Sequence, residues 1–421
     1  MLFSYLLEHN RYLSIVGIGV VIGLAMLFSR NRNAINGKLV LHALGLQFVI
    51  ALVTLKTSIG HTVLGAISHY VAQIYQFADE GAVFLFGNLV QDGPWGFIFA
   101  FKVLPVIIFF GALMAVLFYW GVVQKCVLAV NWCIQPLLGT TGAETLCAVA
   151  NSFLGQTEAP LLVRNYLKHM SKSELLVVMV SGMGTISGAI LVVFAAMGVP
   201  ISHLLTASVM AIPATIMMAK ILLPEEAKEH ATQHAQIEMK SEANNIFDAL
   251  AAGTSDGLWL ALNVGAMLIS FVALIGLVDA VCGFGGQKVN QLLVLLGIDM
   301  QLPLVSLKSI FGVLFRPFAW LLGFTGSVAA DVGQLIGMKV VANEMIAYGA
   351  MIEMGLPGRV VEVVTYALCG FSNFSCIGIQ VGGIGALVPE KRAWLTELGL
   401  YAVCGAALAN LLSAMIANIL I

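Results

Sequence analysis

Long apolar runs separated by short polar breaks dominate the chain. A hydrocarbon core of ~30 Å takes about 20 apolar residues as helix. Runs of that kind fall at 12–29, 39–55, 103–124, 175–199, 201–223, 257–281, 360–388 and 397–421. They predict eight transmembrane helices. The first opens at Tyr12 with no small-residue cleavage site behind it, so it predicts an anchor helix and not a removed signal peptide. Residues 61–80 alternate apolar and polar positions at helical spacing, are too polar to span, and predict one interfacial helix.

Two further regions, 136–170 and 319–355, are apolar but broken, each long enough to enter the membrane, turn and leave as two short helices. Each carries a polar knot: Asn151-Ser-Phe-Leu-Gly155-Gln156-Thr157-Glu158-Ala-Pro160 in the first, Asn343-Glu344-Met-Ile-Ala-Tyr348 in the second. After each knot comes a span interrupted by small polar residues, Ser181 to Gly188 and Gly370 to Cys376. Glu158 to Ser187 is 29 positions, and Glu344 to Asn373 is also 29. A further span, 201–223 or 397–421, closes each half. Counting spans, the first hairpin starts from one side of the membrane and the second from the other. The pattern predicts inverted repeats, the layout in which broken helices offer backbone dipoles to substrate and ion near the midplane.

Composition supports the membrane reading and narrows the chemistry. Of 421 residues 60% are apolar and only 10% charged, too few charges to cover a soluble globule of this size. A net charge of −2 gives no basic face for a nucleic-acid polymer. With the N-terminus outside, 12 of the 20 Lys and Arg fall on cytoplasmic segments, and the other eight, Lys339 among them, on outer loops and span edges. Both termini are therefore expected on the periplasmic side. Seven Cys (126, 133, 147, 282, 369, 376, 404) form no CxxC pair and read as small buried hydrophobes. The longest polar stretch, 224–245, reads as a cytoplasmic linker helix. Its His230 and His234 have metal-ligand spacing but no evident third ligand.

A carboxylate at membrane depth costs ~2.5 kcal/mol or more to insert and marks a functional candidate. Here Glu158 and Glu344 each sit in a hairpin tip. Capping a half-helix N-terminus would explain either one and is compatible with ligand binding. Gln156, Thr157, Asn373 and Ser375 add amides and hydroxyls, and Phe371 a ring face. The set suits a flat, neutral solute with several hydrogen-bonding groups better than a bare ion. No HExxH is present and no Ser-His or Cys-His pair can be placed at one depth, which argues against an enzyme.

At these residues the sequence resembles the concentrative nucleoside transporter family. The resemblance rests on Gly155-Gln156-Thr157-Glu158, on Asn343-Glu344-Met345-Ile346-Ala347-Tyr348, on Gly370-Phe371-Ser372-Asn373-Phe374-Ser375 and on Ile379-Gln380 through Pro389. It runs over almost the whole chain. It implies an all-α polytopic membrane protein of eight transmembrane helices, two re-entrant hairpins in inverted repeats and one interfacial helix. It further implies a homotrimer in the bacterial inner membrane that imports nucleosides by an elevator motion coupled to sodium or protons. Carried over by residue, Gln156, Thr157 and Glu158 would read the base beside an apolar wall at Ile190. Glu344, Asn373 and Cys376 would hold the ribose, with Phe371 alongside.

The family's sodium site maps to Asn151, Leu154, Thr185 and Ile186, partly through backbone carbonyls. Two departures stand out: Cys376 replaces a Ser, and a thiol bonds weakly, and Thr185 replaces a Ser while keeping the oxygen. Sodium is the expected co-transported ion. A proton carried by Glu158 or Glu344, or an elevator carrier for a nucleobase or another small polar solute, are the alternatives. A sixth-span contact is expected within Leu258–Met267. The expected organisation is scaffold over 1–124, first repeat 136–223, linker and sixth span 224–318, and second repeat 319–421.

Overall fold

In the computed structural model, residues 2–91, 98–225, 243–296 and 306–421 are described, and among them every regular element is helical. After a short helix, Leu2–Leu7, come α1 (Arg11–Leu27), α2 (Gly37–Lys56) and α3 (Ser58–Phe86). Asn36 and Thr57 start α2 and α3 by accepting backbone N–H bonds with their side chains, as polar N-caps do. The predicted interfacial segment 61–80 is the middle of α3. Its Val71, Ile74, Tyr75 and Ala78 pack on Val106 and Phe110 of α4 (Leu104–Tyr119) and on Ala189 and Val192. Next comes α5 (Val122–Leu138), entered through Gly121 in the left-handed region.

The first hairpin descends through α6 (Gly142–Asn151) and returns through a 3-10 turn, Ala159–Val163. The hairpin was expected from 136, but that position lies in the last turn of α5. Gln124, Lys125, Asn131 and Gln135 punctuate α5 and hide it from a hydropathy reading. The span predicted at 175–199 is two half-helices, α7 (Lys172–Gly184) and α8 (Gly188–Ala196), parted at Thr185-Ile186-Ser187. α9 (Ile201–Leu222) closes the first half.

α10 (Ile246–Leu295) runs 50 residues, roughly twice the predicted span 257–281. It packs on α4 at very close range. A Cβ on Gly111 would meet the Gly253 carbonyl oxygen at 2.7 Å, and one on Gly257 would meet Ile108 Cα at 2.8 Å. Three glycines therefore set the approach of these two helices, the small-residue device of membrane packing. α11 (Leu307–Leu314) leads to the second hairpin, α12 (Gly326–Val341) and α13 (Glu344–Glu353). The span predicted at 360–388 is again split, into α14 (Gly358–Leu368) and α15 (Ser375–Leu387). α16 (Arg392–Leu420) ends the fold.

Among the described residues, seven helical stretches are long and apolar enough to cross a bilayer. The eighth predicted span is the broken pair α14–α15. Burial separates the elements into two groups: α7, α9 and α16 are sheathed by protein, whereas α10 shows apolar side chains outward along most of its length. Cys147, Cys369 and Cys376 are buried as expected. Cys126, Cys133 and Cys404 are exposed, contrary to expectation, because they lie on outward apolar helix faces where a thiol costs little. His230 and His234 lie outside the described residues.

Candidate functional site

The two broken spans cross at their breaks, and the two hairpin tips reach the same place. Gly370 has φ +151°, and a Cβ there would meet Asn410 Oδ1 at 2.6 Å and the Gly184 carbonyl oxygen at 2.8 Å. Only glycine lets the second break lie against the end of α7. Asn410, on α16, ties both breaks by donating to the carbonyls of Gly184 (2.8 Å) and Cys369 (2.7 Å). Each break also joins its own hairpin through backbone, Gly188 N–H to Phe153 O (3.1 Å) and Phe374 N–H to Val340 O (3.3 Å).

The second hairpin contributes a carboxylate. Asn343 caps α13 by accepting from the Ile346 N–H at 2.9 Å, which places Glu344 in the first helical position, buried. Glu344 Oε2 accepts from Asn373 Nδ2 at 3.1 Å. The orientation of Asn373 is forced: its Oδ1 accepts from the Cys376 N–H (3.1 Å) and from the Ser375 hydroxyl (2.6 Å), so its nitrogen must face Glu344. Phe371 is half-buried two positions before Asn373, in the same break.

The first hairpin meets this network through Gln156, whose Nε2 donates to Cys376 Sγ at 3.3 Å. Thr157 packs on Gly383, where a Cβ would lie 2.8 Å from its Cγ2. Glu158 folds back so that Oε2 accepts from the Gly155 N–H at 3.0 Å, and it is exposed together with Thr157. Ile190 is buried in the first turn of α8, its N–H capped by Ser187 Oγ at 3.4 Å. Glu344, Asn373, Cys376 and Gln156 thus form one connected set drawn from both halves. Thr157 and Glu158 sit at its exposed rim, Phe371 and Ile190 on the neighbouring half-helices.

Beside it lies a cluster of neutral oxygens. Asn151 Nδ2 donates to Ser181 Oγ (3.0 Å), while Asn151 Oδ1 is buried with no hydrogen-bond partner. Thr185 Oγ1 donates to the carbonyls of Asn151 (3.0 Å) and Ser181 (2.8 Å), leaving its lone pairs free. Among the described residues nothing donates to the carbonyls of Leu154 or Ile186, both buried. An orphaned amide oxygen beside a hydroxyl and two unpaired carbonyls fits a hard cation, which takes oxygen ligands. Two sites are close enough to feel each other. A Cβ on Gly182 would lie 3.1 Å from Gln156 Cβ and 3.6 Å from Asn151 Oδ1.

Three polar residues were not singled out by the sequence reading. Lys339, counted there among outer loops and span edges, is buried inside α12 and donates to Ala367 O (2.8 Å) and Asn410 Oδ1 (2.7 Å). A lone Lys in a window of small apolar residues looks like a helix end, because its partners lie 28 and 71 positions away. Glu144 is a further buried carboxylate, neutralised by Lys220 Nζ at 2.8 Å. Gln380 is wholly buried opposite Gln156; the Ile379–Pro389 string marked its neighbourhood without a role.

Three family models match the chain: Na+ dependent nucleoside transporter N-terminus over residues 16–89, nucleoside recognition over 100–200, and Na+ dependent nucleoside transporter C-terminus over 203–418. The nucleoside permease NupC of Helicobacter pylori is 36% identical over 97% of both chains. Sodium/nucleoside cotransporter 1 of Rattus norvegicus is 34% identical over 98% of this chain and 64% of its own. Among solved structures, CNTnw in an inward-facing substrate-bound state superposes with a TM-score of 0.90 at 37% identity, covering 99% of both chains. A CNTnw variant in an outward-facing state gives 0.89 over 97% of both.

Proposed function

The chain belongs to the Na+ dependent nucleoside transporter family, and from that premise we propose that it carries nucleosides inward by sodium symport, with the solute bound where the two hairpins meet. The observation that carries the site assignment is the connected set Gln156–Cys376–Asn373–Glu344, which joins the two inverted halves through hydrogen bonds. Gln156, Thr157 and Glu158 read the base, with Ile190 as its apolar wall and Phe371 alongside the sugar-holding residues. Glu344, Asn373 and Cys376 hold the sugar hydroxyls, the carboxylate as acceptor and the amide nitrogen as donor.

Sodium, as cargo, takes the oxygens of Asn151, Leu154, Thr185 and Ile186. Binding there fixes the first hairpin tip, and the same tip carries Gln156 to Glu158, so an ion that stabilises it raises nucleoside affinity without touching the nucleoside. The transport step is an elevator motion of the hairpin-bearing body against a scaffold. The protein works as a homotrimer in an inner membrane with both termini periplasmic.

Uptake of labelled uridine and adenosine into proteoliposomes, with sodium and proton gradients imposed separately, tests the function. Uridine should accumulate with an inward sodium gradient, and unlabelled uridine should compete far better than uracil. Strong competition by uracil would point to a nucleobase carrier. Accumulation on a proton gradient alone would move coupling to Glu158 or Glu344.

A further inference from the structure

Gln380, in the second turn of α15, donates from Nε2 to the Met179 carbonyl and to Gln156 Oε1, both at 3.1 Å. A backbone carbonyl only accepts, so Met179 fixes which end of the Gln380 amide is nitrogen. That nitrogen only donates, so the Gln156 atom facing it is the amide oxygen. The Gln156 nitrogen must then point the other way. One of its N–H groups reaches Cys376 Sγ at 3.3 Å, and the second has no protein partner among the described residues.

The chain of constraints is enforced sterically. A Cβ on Gly182 would meet Gln380 Nε2 at 2.7 Å and Gln156 Cβ at 3.1 Å, so the Gln380 amide and the root of the Gln156 side chain are both pressed on the backbone of α7. Turning Gln156 over would set nitrogen against nitrogen in a buried place, stranding two donors. Gln380 also keeps its own Oε1 buried without a donor. A side chain that served packing alone would be better apolar.

We propose that Gln380 is a positioning residue that holds the Gln156 amide with its N–H2 toward the bound solute, so that this position offers a donor and selects a base edge carrying an acceptor there. The proposal rests on the reading that Gln156 contacts the base. Uridine and cytidine test it, because they carry opposite donor and acceptor patterns at ring positions 3 and 4. An amide locked one way discriminates between them differently from one that turns freely or is locked the other way.

The experiment measures apparent KM for both nucleosides in proteoliposomes for the wild type, Gln380→Glu and Gln380→Met. The carboxylate of Gln380→Glu demands the Gln156 nitrogen and turns the amide over, so the uridine-to-cytidine ratio should move about tenfold. Gln380→Met removes the donor while keeping the length. It should move the ratio in the same direction by less, and it keeps the test open should Gln380→Glu fail to fold. Equal changes in KM for both nucleosides in Gln380→Met, or no change in either, would overturn the positioning role while leaving the transport reading intact. A wild type that takes up neither nucleoside would overturn the transport reading itself.

Discussion

Replacing Glu344 by Gln removes a charge and almost no volume, which makes it the cleanest probe of the proposed sugar contacts. The carboxylate accepts from Asn373 Nδ2 at 3.1 Å and has lone pairs left for further donors. A hydrogen bond to a charged acceptor contributes about 1.5–3 kcal/mol and a neutral one about 0.5–1.5. The difference of about 1–1.5 kcal/mol predicts roughly tenfold weaker nucleoside binding at 1.4 kcal/mol per decade. Folding should survive, because the cap of α13 is Asn343 and the glutamine keeps an acceptor oxygen for Asn373 Nδ2. The assay is a cycle: affinities of uridine, 2′-deoxyuridine and 3′-deoxyuridine for the wild type and Glu344→Gln, with thermal midpoints alongside. If Glu344 holds a hydroxyl, deleting that hydroxyl should cost less in the variant than in the wild type. Identical costs in both proteins would remove Glu344 from the sugar. A collapse in thermal stability would show that its charge serves the hairpin instead.

The remaining predictions follow from neighbouring contacts. In a background lacking the exposed Cys126, Cys133 and Cys404, a small thiol reagent should modify Cys376 and block uptake, with saturating uridine slowing the modification; a labelling rate indifferent to uridine would place this thiol outside the pocket. Cys376→Ser should hold or improve uridine affinity, read as KM. Asn151→Ala should flatten the dependence of uptake on sodium at fixed pH, with saturating sodium partly restoring it; proton-driven uptake in sodium-free medium, unmoved by sodium, would refute the sodium assignment. Lys339→Met strands Ala367 O, at about 1–3 kcal/mol for a buried acceptor, and leaves Asn410 Oδ1 with only the Ser372 hydroxyl at 3.3 Å, so it should lower the thermal midpoint measurably; an unchanged midpoint would show that these contacts contribute nothing.

What the sequence reveals about this fold is what short-range pattern can carry. Hydropathy finds the long helices, and the small polar residues at 181–188 and 370–376 locate both breaks within a few positions. It fails where a helix continues past the apolar run. The flanks of α10 are rich in Ala, Gly, Ser, Asp and Gln, which are tolerated in a helix but do not register as membrane-spanning. It fails also at α5, where polar residues interrupt the run often enough to read as a loop. At the site, the carboxylates and amides were visible because such groups are rare in apolar surroundings. Their mutual arrangement was not, since Gln156 meets Cys376 and Gln380 across more than 200 positions.

The least legible feature is the difference between two halves that look alike in sequence. Each half brings a hairpin against the end of a broken helix, and each helix end exposes carbonyls that its own turn cannot satisfy. In the second half Lys339, a residue of the hairpin itself, reaches the Ala367 carbonyl at the end of α14 and holds Asn410 as well. In the first half no side-chain cation among the described residues does the same. Asn151 Oδ1 stays unpaired, the Leu154 and Ile186 carbonyls face no protein donor among the described residues, and Thr185 supplies only a hydroxyl. A resident ammonium makes one junction permanent. On the sodium reading proposed above, a cation that leaves with each transport cycle completes the other junction and makes the hairpin tip beside Gln156 rigid or loose in turn. The repeat then supplies the architecture, and its broken symmetry the coupling we propose.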